Sequence, residues 1–238
     1  DALLLPRTRD TPVPSPMQRS PYSANYRLAR DQFRAAAGHL DAELESHPIE
    51  GQGPDGESLS IDVAMSARGD PGRVLVASSG IHGVEGFFGS AVQVEWLRRL
   101  ASQGPARARP RWVLIHTLNP YGFAWRRRVN EHNVDLNRNL LAGEQAFRGS
   151  PAAYPGFDRL LNPRRPPSAW DPVIPKIAMT IARHGLQPFK EAVASGQYDF
   201  PQGLFYGGDG PSATHRILAK HYTRWLGGSE RVLHLDLH

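Results

Sequence analysis

Apolar and polar positions along this chain repeat with two periods, and the elements follow from where one gives way to the other. Tyr26, Leu28, Ala29, Phe33, Ala36 and Leu40 keep helical spacing, which predicts an amphipathic packing helix from about Ala24 to Glu45. Ile49, the turn Pro54-Asp55-Gly56 and the alternating Leu59-Ser60-Ile61-Asp62-Val63 predict a hairpin. Two unbroken apolar runs, Val74-Leu75-Val76-Ala77 and Trp112-Val113-Leu114-Ile115, read as buried strands over 73–78 and 112–116. Between them Phe87, Phe88, Ala91, Val92, Leu97 and Leu100 predict a helix from about Glu85 to Leu100. Strand, helix, strand in this order implies an α/β fold with a largely parallel sheet and right-handed crossovers. Helices are expected near Ile174–His184, Pro188–Ser195 and Ser212–Leu226. The last strand, Arg231 to Leu237, sets Leu233, Leu235 and Leu237 on one face and His234, Asp236 and His238 on the other.

The intervening stretches differ in kind. Residues 1–21, with Pro6, Pro12, Pro14, Pro16 and Pro21, read as an irregular arm, and 22–238 as one domain. Gly104 to Pro110 reads as a linker, and 119–139 as polar, structured loop. Residues 150–175 are proline-rich and are expected to form a long ordered loop anchored by Tyr154, Phe157 and Trp170. Phe200 to Gly208, rich in glycine and aromatics, has the composition of a cleft-lining loop.

Composition narrows the chemistry. A chain of 238 residues without cysteine has no disulfides, iron–sulfur clusters or thiolate zinc sites. No apolar run approaches the roughly 20 residues of a membrane helix, so a soluble protein without membrane partners is expected, with the cytoplasm as the default compartment. The net charge of +5, from 28 basic and 23 acidic residues, is modest and spread out. The arginines sit inside polar motifs instead of an interleaved aromatic face, which argues against nucleic acid as a partner.

The candidate chemistry gathers at Gly80-Ile81-His82-Gly83-Val84-Glu85-Gly86, where the first buried strand turns into its helix. His82 and Glu85 stand three residues apart at that corner, so an imidazole and a carboxylate can address one point, as a borderline dication such as zinc requires. On this stretch alone, a surface histidine and a helix N-terminal glutamate account for the pattern equally well. Sites on parallel sheets gather beyond the carboxyl ends of the strands, the level of His82, Glu85 and His238. His234 lies about 13 Å deeper at the usual rise per residue and reads as a crevice histidine.

With His82-x-x-Glu85, Val134-Asp135-Leu136-Asn137-Arg138-Asn139 and Leu235-Asp236-Leu237-His238 in this order, the chain resembles the zinc carboxypeptidase superfamily, the carboxypeptidase A clan with its aspartoacylase-like relatives. It is most similar to a bacterial branch of uncharacterised proteins with the same His-Gly-Val-Glu-Gly and Asn-Pro-Tyr-Gly-Phe-Ala-Trp segments. The resemblance covers about 22–238 and implies a mostly parallel mixed sheet flanked by helices, lacking its C-terminal strands. It makes His82, Glu85 and His238 the ligands of one zinc ion, and Asp135 the carboxylate that orients His82. Asn137 and Arg138 would hold a substrate carboxylate, and Arg128, with Arg127 a close second, would steady the oxyanion. The implied activity is hydrolysis of an amide in a peptide C-terminus or an N-acyl amino acid. The alternative is a catalytically inactive zinc- or ligand-binding module of the same fold. The family's general-base glutamate has no counterpart here, because Glu191 and Glu230 fit no family position. The chain is therefore expected to look like the N-terminal two-thirds of such an enzyme, weakly active at best and prone to self-association.

Overall fold

The computed structural model describes residues 20–104, 109–141, 147–166, 168 and 170–238. The expected arm lies outside the described residues except for 20 and 21, as do residues 105–108 of the expected linker.

The first helix, α1 (Tyr26–Gly38), is capped by Asn25, whose side chain accepts from Leu28 N at 2.9 Å. It ends seven residues earlier than its apolar spacing predicts. Gly38 closes the helix, the chain turns through Asp41 at φ 50°, and the expected last turn is already strand β1 (Glu43–Gln52). Leu40 still packs on the core, but from the turn, so helical spacing outlasts the helix.

Strand β1 pairs antiparallel with β2 (Ser58–Met65), which confirms the hairpin. Strand β3 (Asp70–Ser79) leads through a short 3-10 turn (Gly83–Glu85) into α2 (Gly86–Gln103), and β4 (Pro110–His116) follows. Part of the stretch read as loop is helical: α3 (Pro120–Trp125), α4 (Leu136–Asn139) and α5 (Tyr154–Leu161). Helices α3 and α5 carry proline in their first turn, where the missing N–H costs nothing, so these prolines start helices. Tyr154 and Phe157 are buried anchors as expected, whereas Trp170 is 93% exposed and anchors nothing. Then come α6 (Val173–His184), α7 (Leu186–Ala194), α8 (Ala213–Leu226) and β5 (Arg231–Leu237).

The sheet runs β1-β2-β4-β3-β5. Strand β3 is parallel to β4 and β5, while β2 is antiparallel to both β1 and β4, so four of the five strands share one direction. One face carries Ile61, Val63, Val74, Val76, Val113 and Ile115 and is covered by α8 through Ile217, Leu218, Tyr222 and Trp225. The other carries Ala64, Trp112 and Leu114 against Phe33 of α1 and Val94 and Leu97 of α2. The near-continuous apolar runs of β3 and β4 follow from this double cover, since strands buried on both faces lose their alternation. Strand β5 is the exception. Among the described residues it pairs only with β3, and Leu233 and Leu235 are exposed on the α2 face. No helix among the described residues is long and apolar enough to cross a membrane.

Candidate metal centre at the carboxyl ends of the central strands

Past Ser79 the end of β3 is tied to the end of β4: Leu118 N donates to Ser79 O at 2.9 Å and Asn119 N to Gly80 O at 3.0 Å. Gly80, at φ 64°, makes the turn. The 3-10 turn then packs directly on α3, so His82 and Glu85 leave a rigid corner.

His82 is buried, and both ring nitrogens face carboxylates. Nε2 lies 3.2 Å from Asp135 Oδ1, and Nδ1 lies 3.3 and 3.2 Å from the two oxygens of Glu85. Asp135 is fully buried and saturated. Its Oδ1 also accepts from Asn137 N at 3.1 Å, capping α4, and its Oδ2 accepts from Arg128 Nε at 3.1 Å. Burial opposes the charge on Asp135, but His82 and Arg128 outweigh it and hold the carboxyl below its ordinary range. An ionised Asp135 accepts a hydrogen bond from Nε2–H, leaving the Nδ1 lone pair opposite the Glu85 carboxylate. Two acceptors face each other there, a conflict that a proton or a cation between them removes.

The third expected ligand is in the same cluster. The His238 ring stands edge-on to that of His82 at 5.5 Å between centroids. Its Nδ1 is paired with Asp236 Oδ2 at 2.6 Å, and Asp236 Oδ1 accepts from Ser78 Oγ at 2.5 Å. His234 stays out of the cluster, as its depth predicts. Its Nε2 contacts Ser78 Oγ at 2.9 Å and its Nδ1 contacts Tyr222 Oη at 2.9 Å, and burial lowers its pKa against the pull of Asp236. Sequence reasoning gave Asp236 and Ser78 no role. The signal was present in the alternation of β5, which places Asp236 on the face of both histidines, but only the β3–β5 register puts Ser78 beside it.

Two imidazoles and a carboxylate are a donor set for zinc, and the 3.2 Å between His82 Nδ1 and Glu85 Oε2 is close to the roughly 3.4 Å between two ligands on a tetrahedral zinc ion. Among the described residues, however, no three His, Asp or Glu side chains already converge on one point. The His82–Glu85 pair has the spacing, while His238 is adjacent with one nitrogen turned to Asp236.

The arginines separate. Arg128 leans over Phe205, with Cζ 5.3 Å from the ring centroid, and reaches the cluster through Asp135. Arg127 is exposed, and its backbone N donates to Gly122 O at 2.7 Å. Arg138 points to the end of α7, where Nη2 donates to Ala194 O at 2.9 Å and Nε is buried with no hydrogen-bond partner among the described residues, while Asn137 is exposed. Arg128 and Arg138 are therefore drawn to different partners, Asp135 and the Ala194 carbonyl. Neither Glu191, on exposed α7 with Gln187, nor exposed Glu230, ahead of β5, touches the cluster. Other motif asparagines serve as ties: Asn119 caps α3, and Asn139 holds Gly207 and Gly210 at 2.8 and 2.9 Å.

Comparison with known proteins places residues 22–238 within the family described as "Protein of unknown function (DUF2817)". No curated protein matches the chain. Among solved structures it is similar to thrombin-activatable fibrinolysis inhibitor, at 13% identity and a TM-score of 0.41, covering 71% of this chain and 47% of that one. It is similar also to a metallo-carboxypeptidase from Pseudomonas aeruginosa, at 23% identity and a TM-score of 0.33, covering 69% of this chain and 38% of that one. A third is the carboxypeptidase A from Helicoverpa armigera, at 17% identity and a TM-score of 0.35, covering 51% of this chain and 34% of that one. The chain spans about half the length of these structures or less.

Proposed function

The chain belongs to this family of unknown function, DUF2817, and from that premise we propose that its site serves zinc-dependent hydrolysis of an amide bond in a carboxylate-bearing substrate, a peptide C-terminus or an N-acyl amino acid. The observation that carries the reading is the line from buried Asp135 and His82 to partly exposed Glu85, which aims a lone pair and a carboxylate at one point beside His238. His82, Glu85 and His238 are the residues that would hold the metal. When bound, zinc supplies Lewis acidity and lowers the pKa of a water.

The chain's own residues supply the rest. Asp135 fixes the His82 tautomer and holds Arg128 by Nε. Arg128, with Arg127 as second candidate, donates to the oxygen that gains charge as the amide carbonyl is attacked. Arg138 and Asn137 take the substrate carboxylate, for which Arg138 turns from the Ala194 carbonyl to a stronger, charged acceptor.

One observation favours the second reading, a zinc- or ligand-binding module without turnover. Glu85, Asp135 and Asp236, the carboxylates of the cluster, are all engaged with histidines, which leaves none free to take a proton from water. Elemental analysis of protein purified without added metal tests both readings together with a hydrolysis panel. One zinc per chain, lost in His82→Ala and kept in His234→Ala, supports the metal assignment, and the opposite pattern removes it. Turnover of carboxylate-bearing amides over their amidated counterparts separates the hydrolase from the module.

A further inference from the structure

Arg128 is held from two directions. Its Nε donates to Asp135 Oδ2 at 3.1 Å, and its guanidinium lies over the Phe205 ring at 5.3 Å from the centroid. The side chain is 43% exposed, and among the described residues no hydrogen bond or ion pair engages its terminal amino groups. A planar cation pinned at one nitrogen and across one face has its remaining N–H donors fixed in a single plane, the geometry that matches a carboxylate or a developing oxyanion.

Phe205 reaches that position through unfavourable backbone. Its φ is 57°, a left-handed conformation that residues with a β-carbon rarely adopt. The loop enforces it from both sides: Gln197 N donates to Phe205 O at 3.0 Å, and Gly207 N donates to Gln197 O at 2.8 Å. The next residue, Tyr206, accepts from Asp135 N at 2.7 Å. Two consecutive residues therefore fasten the backbone of Asp135 and the side chain of Arg128. Backbone strain of this kind persists where the surroundings over-determine it, and it clusters at functional sites.

We infer that Phe205 is a positioning residue of this site: its ring sets the plane in which Arg128 presents its terminal amino groups to an anionic oxygen of the substrate. The inference rests on the reading of Arg128 as an oxygen-anion donor, but requires neither the metal nor turnover. A cation–π contact at a half-exposed site corresponds to about three- to tenfold in anion affinity.

The test is a titration of the whole chain with acetate, following the 15N-labelled Arg128 Nε–H signal, identified by its loss in Arg128→Lys. The native signal is expected to be ring-shifted and to move with acetate, and Phe205→Tyr to reproduce both effects. Phe205→Leu should lose the ring shift and bind acetate about three- to tenfold more weakly. Phe205→Gly, which accepts a left-handed φ without strain, should do the same in a chain that folds at least as well. Native-like acetate binding in Phe205→Leu and Phe205→Gly overturns the inference, as does a Phe205→Tyr variant that fails as they do. If no form responds to acetate, the donor role of Arg128 falls and the inference falls with it. An intact titration without zinc-dependent hydrolysis removes only the hydrolase reading.

Discussion

Gly83 is the position where a single methyl group should do most damage to the corner that carries His82 and Glu85. A β-carbon built there would stand 1.8 Å from Gly122 C, 2.2 Å from Phe123 N and 2.4 Å from Gly122 Cα. All three are backbone atoms of α3, so no side chain can swing aside, and the helix must retreat by at least about 1.2 Å to restore a 3.0 Å contact. Overpacking costs about 1–3 kcal/mol when side chains can adjust, and more when they cannot. Retreat also loosens Phe123, whose ring meets Tyr26 at 5.7 Å and Phe87 at 4.6 Å, contacts worth about 0.5–1.5 kcal/mol each. Gly83→Ala should therefore lose about 3–5 kcal/mol, seen as a melting point roughly 10 °C lower for a chain of this size. Because His82 and Glu85 flank the clash, the proposed metal site should weaken along with the fold. Urea and thermal unfolding measure the loss, with Gly38→Ala as the control. A β-carbon at Gly38 meets nothing within 4 Å, so that change should be neutral or stabilise by up to about 1 kcal/mol. A Gly83→Ala protein that melts with the native one would refute the close approach of the 3-10 turn to α3.

Three further outcomes are expected. Arg224 grips Glu45 through both nitrogens at 2.6 and 2.7 Å and holds its carboxyl down to about 2 from an ordinary 4.5. A carboxyl depressed on folding stabilises above its unfolded pKa, so this contribution should be whole above pH 4.5 and drain away toward pH 2, and Arg224→Gln should flatten the acid limb of the stability curve there. Asp135→Asn keeps the shape but removes the charge facing His82 and Arg128. It should weaken zinc binding by about 10–100-fold in a chelator competition, and unchanged affinity would remove the orienting role. Leu233→Glu and Leu235→Glu place charge on the exposed face of edge strand β5, so light scattering should show less concentration-dependent association than in the native chain.

The one-dimensional pattern determined the α/β order, the hairpin and strands β2 to β5 to within a few residues, while the start of β1 read as helix. Those features are set by local periodicity and by apolar runs that must be covered. It also brought out His82 and Glu85 as a pair, because a strand-to-helix corner with fixed spacing is a local design, whereas Asp135 was pointed to only by the resemblance of its motif to a known family. Helices α3, α4 and α5 were hidden for a related reason: their prolines and asparagines act as starts and caps, which composition alone renders as loop. What only the tertiary structure decided is how distant segments meet. The β3–β5 register puts Ser78 between His234 and Asp236. The fold of the 197–207 loop turns Phe205 under Arg128, and the approach of α7 draws Arg138 away toward Ala194. None of these pairings has a sequence period, because each joins residues 56 to 158 positions apart whose contact depends on how sheet, helix and loop pack together.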